Sequence, residues 1–254
     1  MLTNATVEKM HSLRLTALAE AFQAQLTRPE FAGLEFAERV GMLVDAEWTA
    51  RDQKSQKRRL KAAALRHQAC LEDLDWTLPR GLDRSVVLSL ATCGFIRDRR
   101  NLLITGKTGV GKSYLACAFA DRACRSGLSA YYIRAPRLYH DLAVSRVDGS
   151  YGRLLQKLTR ADLLVIDDWG LAPLQDTERR DLLEVLEDRH QRTSTIVTSQ
   201  LASTLWHEVI GEPTLADSIC DRLISGAYKI ELCGPSVRSE KAKKAAGRPP
   251  RDTP

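Results

Sequence analysis

Residues 106 to 113 read Gly-Lys-Thr-Gly-Val-Gly-Lys-Ser and fill every position of the pattern G-x-x-x-x-G-K-[ST], which leaves the flanking chain one workable arrangement. A strand must enter the loop and a helix must leave it, because only then do successive backbone N–H groups and the positive helix end converge on phosphate. Both are written on either side. Asn101-Leu102-Leu103-Ile104-Thr105 is an apolar run of strand length, and Tyr114 to Arg125 carries Leu115, Ala118, Phe119 and Arg122 at helical spacing until Ser126-Gly127 stops it. The glycines permit positive φ and close backbone approach. The expected nucleotide cradle is Gly106, Lys107, Thr108, Gly109, Val110, Gly111, Lys112, Ser113 and Tyr114, with Lys112 directed at the β- and γ-phosphates of ATP and Ser113 at Mg2+.

The strand that enters the phosphate loop needs sheet partners, and further strand-like runs follow at 130–133, 162–168, 195–200 and 228–232, separated by helical patterns. Their continuous aliphatics suit parallel strands buried on both faces, so the expected fold class is α/β, a five-stranded parallel sheet flanked by helices. The run Asp162-Leu163-Leu164-Val165-Ile166-Asp167-Asp168 ends in two carboxylates where open α/β sheets place their ligands. Asp167 is expected to orient Mg2+ through its water shell, and Asp168 to polarise an attacking water. The polar end Thr198-Ser199 either meets the γ-phosphate or merely ends its strand. A short helix over Asp83 to Gly94 is expected packed beside the sheet, as a segment of the kind that often flanks the nucleotide base.

Ahead of this region, Met10, Leu13, Leu18, Ala21, Phe22 and Leu26 predict one amphipathic helix from Val7 to Leu26, and Phe36, Val40, Leu43, Val44 and Trp48 predict another over 34–48. These helices either pack on each other or dock a partner. The stretch from Arg51 to Arg66 reads as a basic helix, either a solvated face or a phosphate-facing surface through Lys54, Lys57, Arg58 and Arg59. Pro79 and Gly81 follow an acidic patch, so the domains are expected at 1–75 (helical, partner- or DNA-binding), 76–237 (nucleotide-binding) and 238–254 (a basic, disordered tail). A net charge of +6 points to a polyanionic partner. With no apolar run near the roughly twenty residues of a bilayer span, a cytoplasmic protein without membrane contact is expected. Six cysteines without paired spacing are expected as reduced, buried thiols.

Taken in order, the phosphate loop, Leu163-Leu164-Val165-Ile166-Asp167-Asp168-Trp169-Gly170, Thr198-Ser199-Gln200 and Asp221-Arg222-Leu223 resemble the IstB family, AAA+ ATPases that assist an insertion-sequence transposase and are similar to DnaC-type helicase loaders. Leu13-Arg14-Leu15 through Gln25-Leu26 looks like the family's opening helix, so the likeness spans nearly the whole chain. It implies an AAA+ domain behind a small all-α domain, working as an ATP-dependent homo-oligomer that holds duplex DNA and engages a transposase in target selection and strand transfer. A replicative helicase loader is the alternative, and a small-molecule kinase a weaker third. By the same resemblance Lys112 and Ser113 match Walker A, Asp167 and Asp168 Walker B, Ser199 or Thr198 sensor one, and Arg222 the arginine finger acting on a neighbour's ATP. Arg222 alone also reads as a surface ion pair with Asp217 or Asp221. Arg238 is a candidate second sensor, and Arg146 and Arg153 are further candidate DNA contacts. Asp168 stands where many relatives of this class carry Glu, which predicts slow turnover stimulated by assembly on DNA.

Overall fold

Five short aliphatic runs pair into one all-parallel sheet, β1 (Leu102–Gly106), β2 (Ala130–Arg134), β3 (Leu163–Trp169), β4 (Ser194–Ser199) and β5 (Tyr228–Leu232), in the spatial order β2-β3-β4-β1-β5. The computed structural model describes residues 2–237, so the expected tail 238–254 and Arg238 lie outside the described residues. Side chains alternate across the sheet, which is why each strand must be apolar throughout. Leu102, Ile104, Leu163 and Val165 enter one core, whereas Leu103, Leu164 and Ile166 enter the other.

The first core is closed by α4 (Arg84–Ala91), α5 (Gly94–Arg97) and α6 (Lys112–Arg125). The second is closed by α7 (Ala135–Val147), α8 (Tyr151–Arg160), α9 (Asp176–Arg189), α10 (Trp206–Ile210) and α11 (Pro213–Ile224). Local signals fix several of these ends. The Asp83 carboxylate accepts the Ser85 N–H at 2.7 Å and caps α4, Pro136 opens α7, and the Glu178 carboxylate accepts the Gln175 N–H at 2.8 Å at the start of α9. At the other end of the sheet Arg189 is 2% exposed and donates to the carbonyls of Leu158, Ala161 and Ser194, tying the exit of α8 to the entry of β4. Four of the cysteines are buried, but Cys233 is exposed, contrary to expectation.

Packing divides the chain into two compact units, 1–58 and 59–254. The segment 59–75, assigned from sequence to the first domain, supplies Ala63, Ala69, Leu71 and Leu74 to the core of the second unit. The expected helix Val7–Leu26 is two helices, α1 (Leu2–Ser12) and α2 (Thr16–Thr27), because Arg14 takes a left-handed φ of 59° and the Leu15 N–H closes back on the Met10 carbonyl at 2.9 Å. The two helices expected at 34–48 and 51–66 are one 28-residue helix, α3 (Phe36–Ala63), since nothing between them breaks the ladder. In the first unit α2 and α3 are joined by polar ties: Glu47, 8% exposed, accepts the Leu18 N–H at 3.1 Å, and Gln25 donates to the Arg39 carbonyl at 2.9 Å. Phe36, Val40, Val44 and Trp48, expected either to pack within the unit or to dock a partner, are all exposed.

No described helix is long and apolar enough to cross a membrane. Beyond the carboxylates, the end of β3 is anchored by Trp169, whose ring centroid lies 5.4 Å from that of fully buried Trp206. Trp206→Ala is expected to lower unfolding free energy by about 3–5 kcal/mol, measured by urea titration.

Candidate active site

The loop between β1 and α6 has its shape imposed by three glycines at φ 140°, 87° and 105° (Gly106, Gly109 and Gly111). At Gly106 the constraint is absolute, since a Cβ there would stand 2.1 Å from the Leu232 carbonyl oxygen of neighbouring β5. Lys112 opens α6, is 7% exposed, and donates to the carbonyls of Gly106 and Lys107 at 2.7 and 2.9 Å. Its ammonium thus lies inside the loop's curve. Thr108 donates to Gln200 Oε1 at 2.8 Å, linking the loop to the end of β4.

Opposite the loop, β3 carries the paired carboxylates on a bulge. The β3–β4 register runs Ile166↔Val197 and then Trp169↔Ser199, so Asp167 and Asp168 both face Thr198, and Asp168 has a left-handed φ of 61°. Thr198 is fully buried and pins the bulge from both sides, donating its hydroxyl to Asp167 Oδ1 and accepting the Asp168 N–H at 3.1 Å. Ser199, expected near the γ-phosphate, is turned away: its Oγ donates to the Trp169 carbonyl and accepts the Leu201 N–H, each at 3.0 Å.

Asp167 is fully buried and accepts hydrogen bonds from Ser113 Oγ at 2.9 Å and the Tyr132 hydroxyl at 2.5 Å as well as from Thr198. Burial, and then the hydrogen bond to Asp167, hold the Tyr132 phenol protonated well above its usual range. Asp168 faces two guanidinium groups, Arg134 Nε at 2.9 Å and Arg66 Nη1 at 3.7 Å. Sequence reading missed Tyr132, Arg134, Arg66 and Arg80. The first two reach the carboxylates only through the pairing of β2 with β3, in which Arg134 stands opposite Asp167. Arg66 lies just past the left-handed residue that follows α3, Ala64 at φ 51°.

These groups border a cavity of about 760 Å³, large enough for a nucleotide. Its wall beyond the loop is formed by Asp73, Leu74, Asp75, Leu78 and Arg80; the Asp83–Gly94 segment packs into the first core beside the sheet, as expected, and does not border the cavity. Arg80 is buried, donates to the Asp75 carbonyl at 2.7 Å, and presses on the loop 3.2 Å from the position of a Cβ at Gly111. The residues fit the expected ligands. A glycine-shaped loop at a helix N-terminus, with Lys112 inside it, suits a polyphosphate. Two hard oxygens, Ser113 Oγ and Asp167 Oδ1, lie 2.9 Å apart and suit Mg2+, which takes one or two protein oxygens and fills its octahedron with phosphate and water.

Arg222 is not among the residues of this cavity. Its backbone carbonyl accepts from Asn101 Nδ2 at 2.7 Å, just before β1, so it lies toward the N-terminal ends of the strands, beside a smaller cleft shared with His190 and Thr195. Its guanidinium pairs with Glu187 of α9, not with Asp217 or Asp221 as in the alternative reading, and donates to the Ser218 carbonyl at 2.8 Å. Of the basic residues singled out, Lys54, Lys57, Arg58 and Arg153 are exposed. Arg59 turns inward to the Cys124 carbonyl at 2.8 Å, and Arg146 is held by Asp181 and stacks 3.9 Å over Tyr151.

Residues 8–245 match the sequence model of a family described as IstB-like ATP binding protein. The chain is similar to y4pL of Sinorhizobium fredii (strain NBRC 101917 / NGR234), named as an insertion sequence ATP-binding protein: 46% identity over 245 residues, 96% of this chain and 100% of that protein. An ATP-binding protein of insertion sequence IS21 from Pseudomonas aeruginosa is 30% identical over 92% of this chain and 88% of its own. Among solved structures, DnaI superposes with TM-score 0.56 at 23% identity over 70% of this chain and 94% of its own. AMPPCP-bound DnaA from Aquifex aeolicus gives 0.58 at 17% identity over 71% of this chain and 56% of its own. These likenesses establish the AAA+ P-loop fold.

Because a Cβ at residue 106 collides with backbone, Gly106→Ala is expected to cost more than about 2 kcal/mol of stability, measured as a shifted urea midpoint at unchanged slope.

Proposed function

Because the chain belongs to the family of IstB-like ATP binding proteins, we propose that it is a Mg2+-dependent ATPase that assembles on duplex DNA and assists the transposase of an insertion sequence. The observation that supports this reading is the division of charge between two places. Lys112, Ser113, Asp167 and Asp168 converge at the C-terminal ends of the strands, whereas Arg222 lies near their N-terminal ends. A guanidinium so placed serves the nucleotide of a second copy, and hydrolysis then depends on assembly.

The residues divide the work. The loop N–H groups and Lys112 bind the phosphates, and Ser113 and Asp167 hold the metal, which when bound neutralises phosphate charge and polarises the terminal phosphoryl group. Asp168 accepts the proton of the attacking water once Arg134 yields its oxygen. Thr198, rather than Ser199, is the hydroxyl that keeps both carboxylates aimed. Turnover is slow, because the shorter Asp168 reaches less far and is ion-paired at rest. Phosphate contacts with duplex DNA come from the exposed run Lys54, Lys57 and Arg58 of α3, with Arg153 as a further contact; Arg59 and Arg146 are already engaged within the fold.

Thr198→Ala is expected to lower ATP hydrolysis by about a hundredfold and Ser199→Ala by less than about threefold, followed as phosphate release. Arg222→Ala is expected to abolish DNA-stimulated hydrolysis while leaving ATP affinity unchanged, and mixing it with Lys112→Ala should restore partial activity through hybrid interfaces. Fast, DNA-independent hydrolysis by a monomer would refute the assembly reading. Neutralising Lys54, Lys57 and Arg58 should reduce the salt dependence of duplex binding by a slope of roughly 2–3, read by fluorescence anisotropy across a salt series. Co-purification with a transposase supports the transposition role; co-purification with a hexameric helicase would instead make the protein a helicase loader.

A further inference from the structure

Two guanidinium groups face the Walker-type carboxylates, and they differ in how firmly they are held. Arg134 projects from β2, and its Nε lies 2.9 Å from Asp168 Oδ2, a charge-assisted hydrogen bond rooted in a strand. Arg66 Nη1 lies 3.7 Å from the same oxygen and 3.9 Å from Asp167 Oδ2, beyond hydrogen-bond reach of either. What holds the guanidinium charged is first the Tyr132 hydroxyl and only then the coulombic attraction of Asp167 and Asp168. Arg66 is also 39% exposed and sits outside regular structure, two residues past the left-handed Ala64. Leaving the carboxylates therefore costs Arg66 no short carboxylate hydrogen bond and no secondary structure, only its contact with the neutral Tyr132 hydroxyl.

Ligand binding supplies both a reason to leave and a place to go. Ser113 and Asp167 would hold a divalent cation, whose charge would offset the negative charge facing Arg66 and repel the guanidinium. The same event brings in phosphate oxygens, which a planar guanidinium binds in bidentate fashion. Arg66 borders the same cavity as Lys112 and Ser113. It stands beside Asp168, the group placed to take the proton of a water attacking the terminal phosphate, and hence on the side of the cavity where ATP differs from ADP.

We infer that Arg66 is a ligand of the terminal phosphate and discriminates ATP from ADP, resting on the Walker-type carboxylates when no triphosphate is bound. The inference depends on the cavity being an ATP site, as proposed above. It adds a cation that no phosphate-loop, carboxylate or finger motif contains, carried in cis by the segment immediately after α3.

The test compares Arg66→Gln and Arg66→Lys with the unaltered full chain in binding fluorescent ATP and ADP analogues at saturating Mg2+, read by anisotropy. Arg66→Gln should weaken ATP binding about tenfold, as expected for one lost charge-assisted contact. ADP binding should be unchanged or slightly tighter, because a cation competing for Asp167 and Asp168 has been removed. Arg66→Lys should recover part of the ATP affinity. Undiminished ADP binding also shows that the variant is folded. Equal losses for both nucleotides, or unchanged ATP affinity, would overturn the assignment and leave Arg66 a counter-ion of the carboxylates alone. If the unaltered protein bound neither nucleotide, the ATP-site reading itself would fall, an outcome distinct from loss of discrimination.

Discussion

One threonine hydroxyl decides how the chemistry is laid out. A regular β3 would send Asp167 and Asp168 to opposite faces of the sheet. The bulge places both against Thr198, which donates to one carboxylate and accepts the backbone N–H of the other residue. The left-handed Asp168 that results is strained, and it persists because β4 on one side and the Trp169–Trp206 contact on the other determine where the chain must go. From that point the loop hydroxyl of Ser113, the buried phenol of Tyr132 and the guanidinium of Arg134 all find their partners.

The parts of this arrangement that were legible in the sequence are those set by local chemistry. Continuous aliphatics at 102–104 and 163–166 require two buried faces, and glycines at 106, 109 and 111 require a left-handed loop, so the sheet and the phosphate cradle follow from neighbouring residues. Contacts that arise from strand order were not legible. Arg134 meets Asp168 only because β2 pairs with β3, and nothing in Ala130-Tyr131-Tyr132-Ile133-Arg134 states its neighbour. The choice between Thr198 and Ser199 was hidden for a related reason: adjacent hydroxyls on a strand point opposite ways, and which one faces the carboxylates depends on the bulge across the ladder.

The first unit shows a different limit of sequence reading. The spacing of Phe36, Val40, Val44 and Trp48 marks an apolar helical face but not what covers it, and all four are exposed, because a unit of this size offers α3 few apolar partners. The interior is replaced by polar ties through Glu47 and Gln25, which fix helix positions while burying little surface. Likewise Arg14 breaks the first helix without glycine or proline, so no sequence marker of a stop was present.

The pairing of Arg222 with Glu187 has a consequence for chains that have not met. A guanidinium closed on a carboxylate presents almost no net field beyond a Debye length of about 8 Å, so under the proposed assembly a solitary copy would not advertise Arg222 to free nucleotides or to stray phosphate. Recognition would then be confined to contact range, where the neighbour that the proposed function requires would exchange one anion for another. On that reading the Arg222–Glu187 ion pair would filter encounters, admitting those with the right geometry and ignoring those that are merely charged.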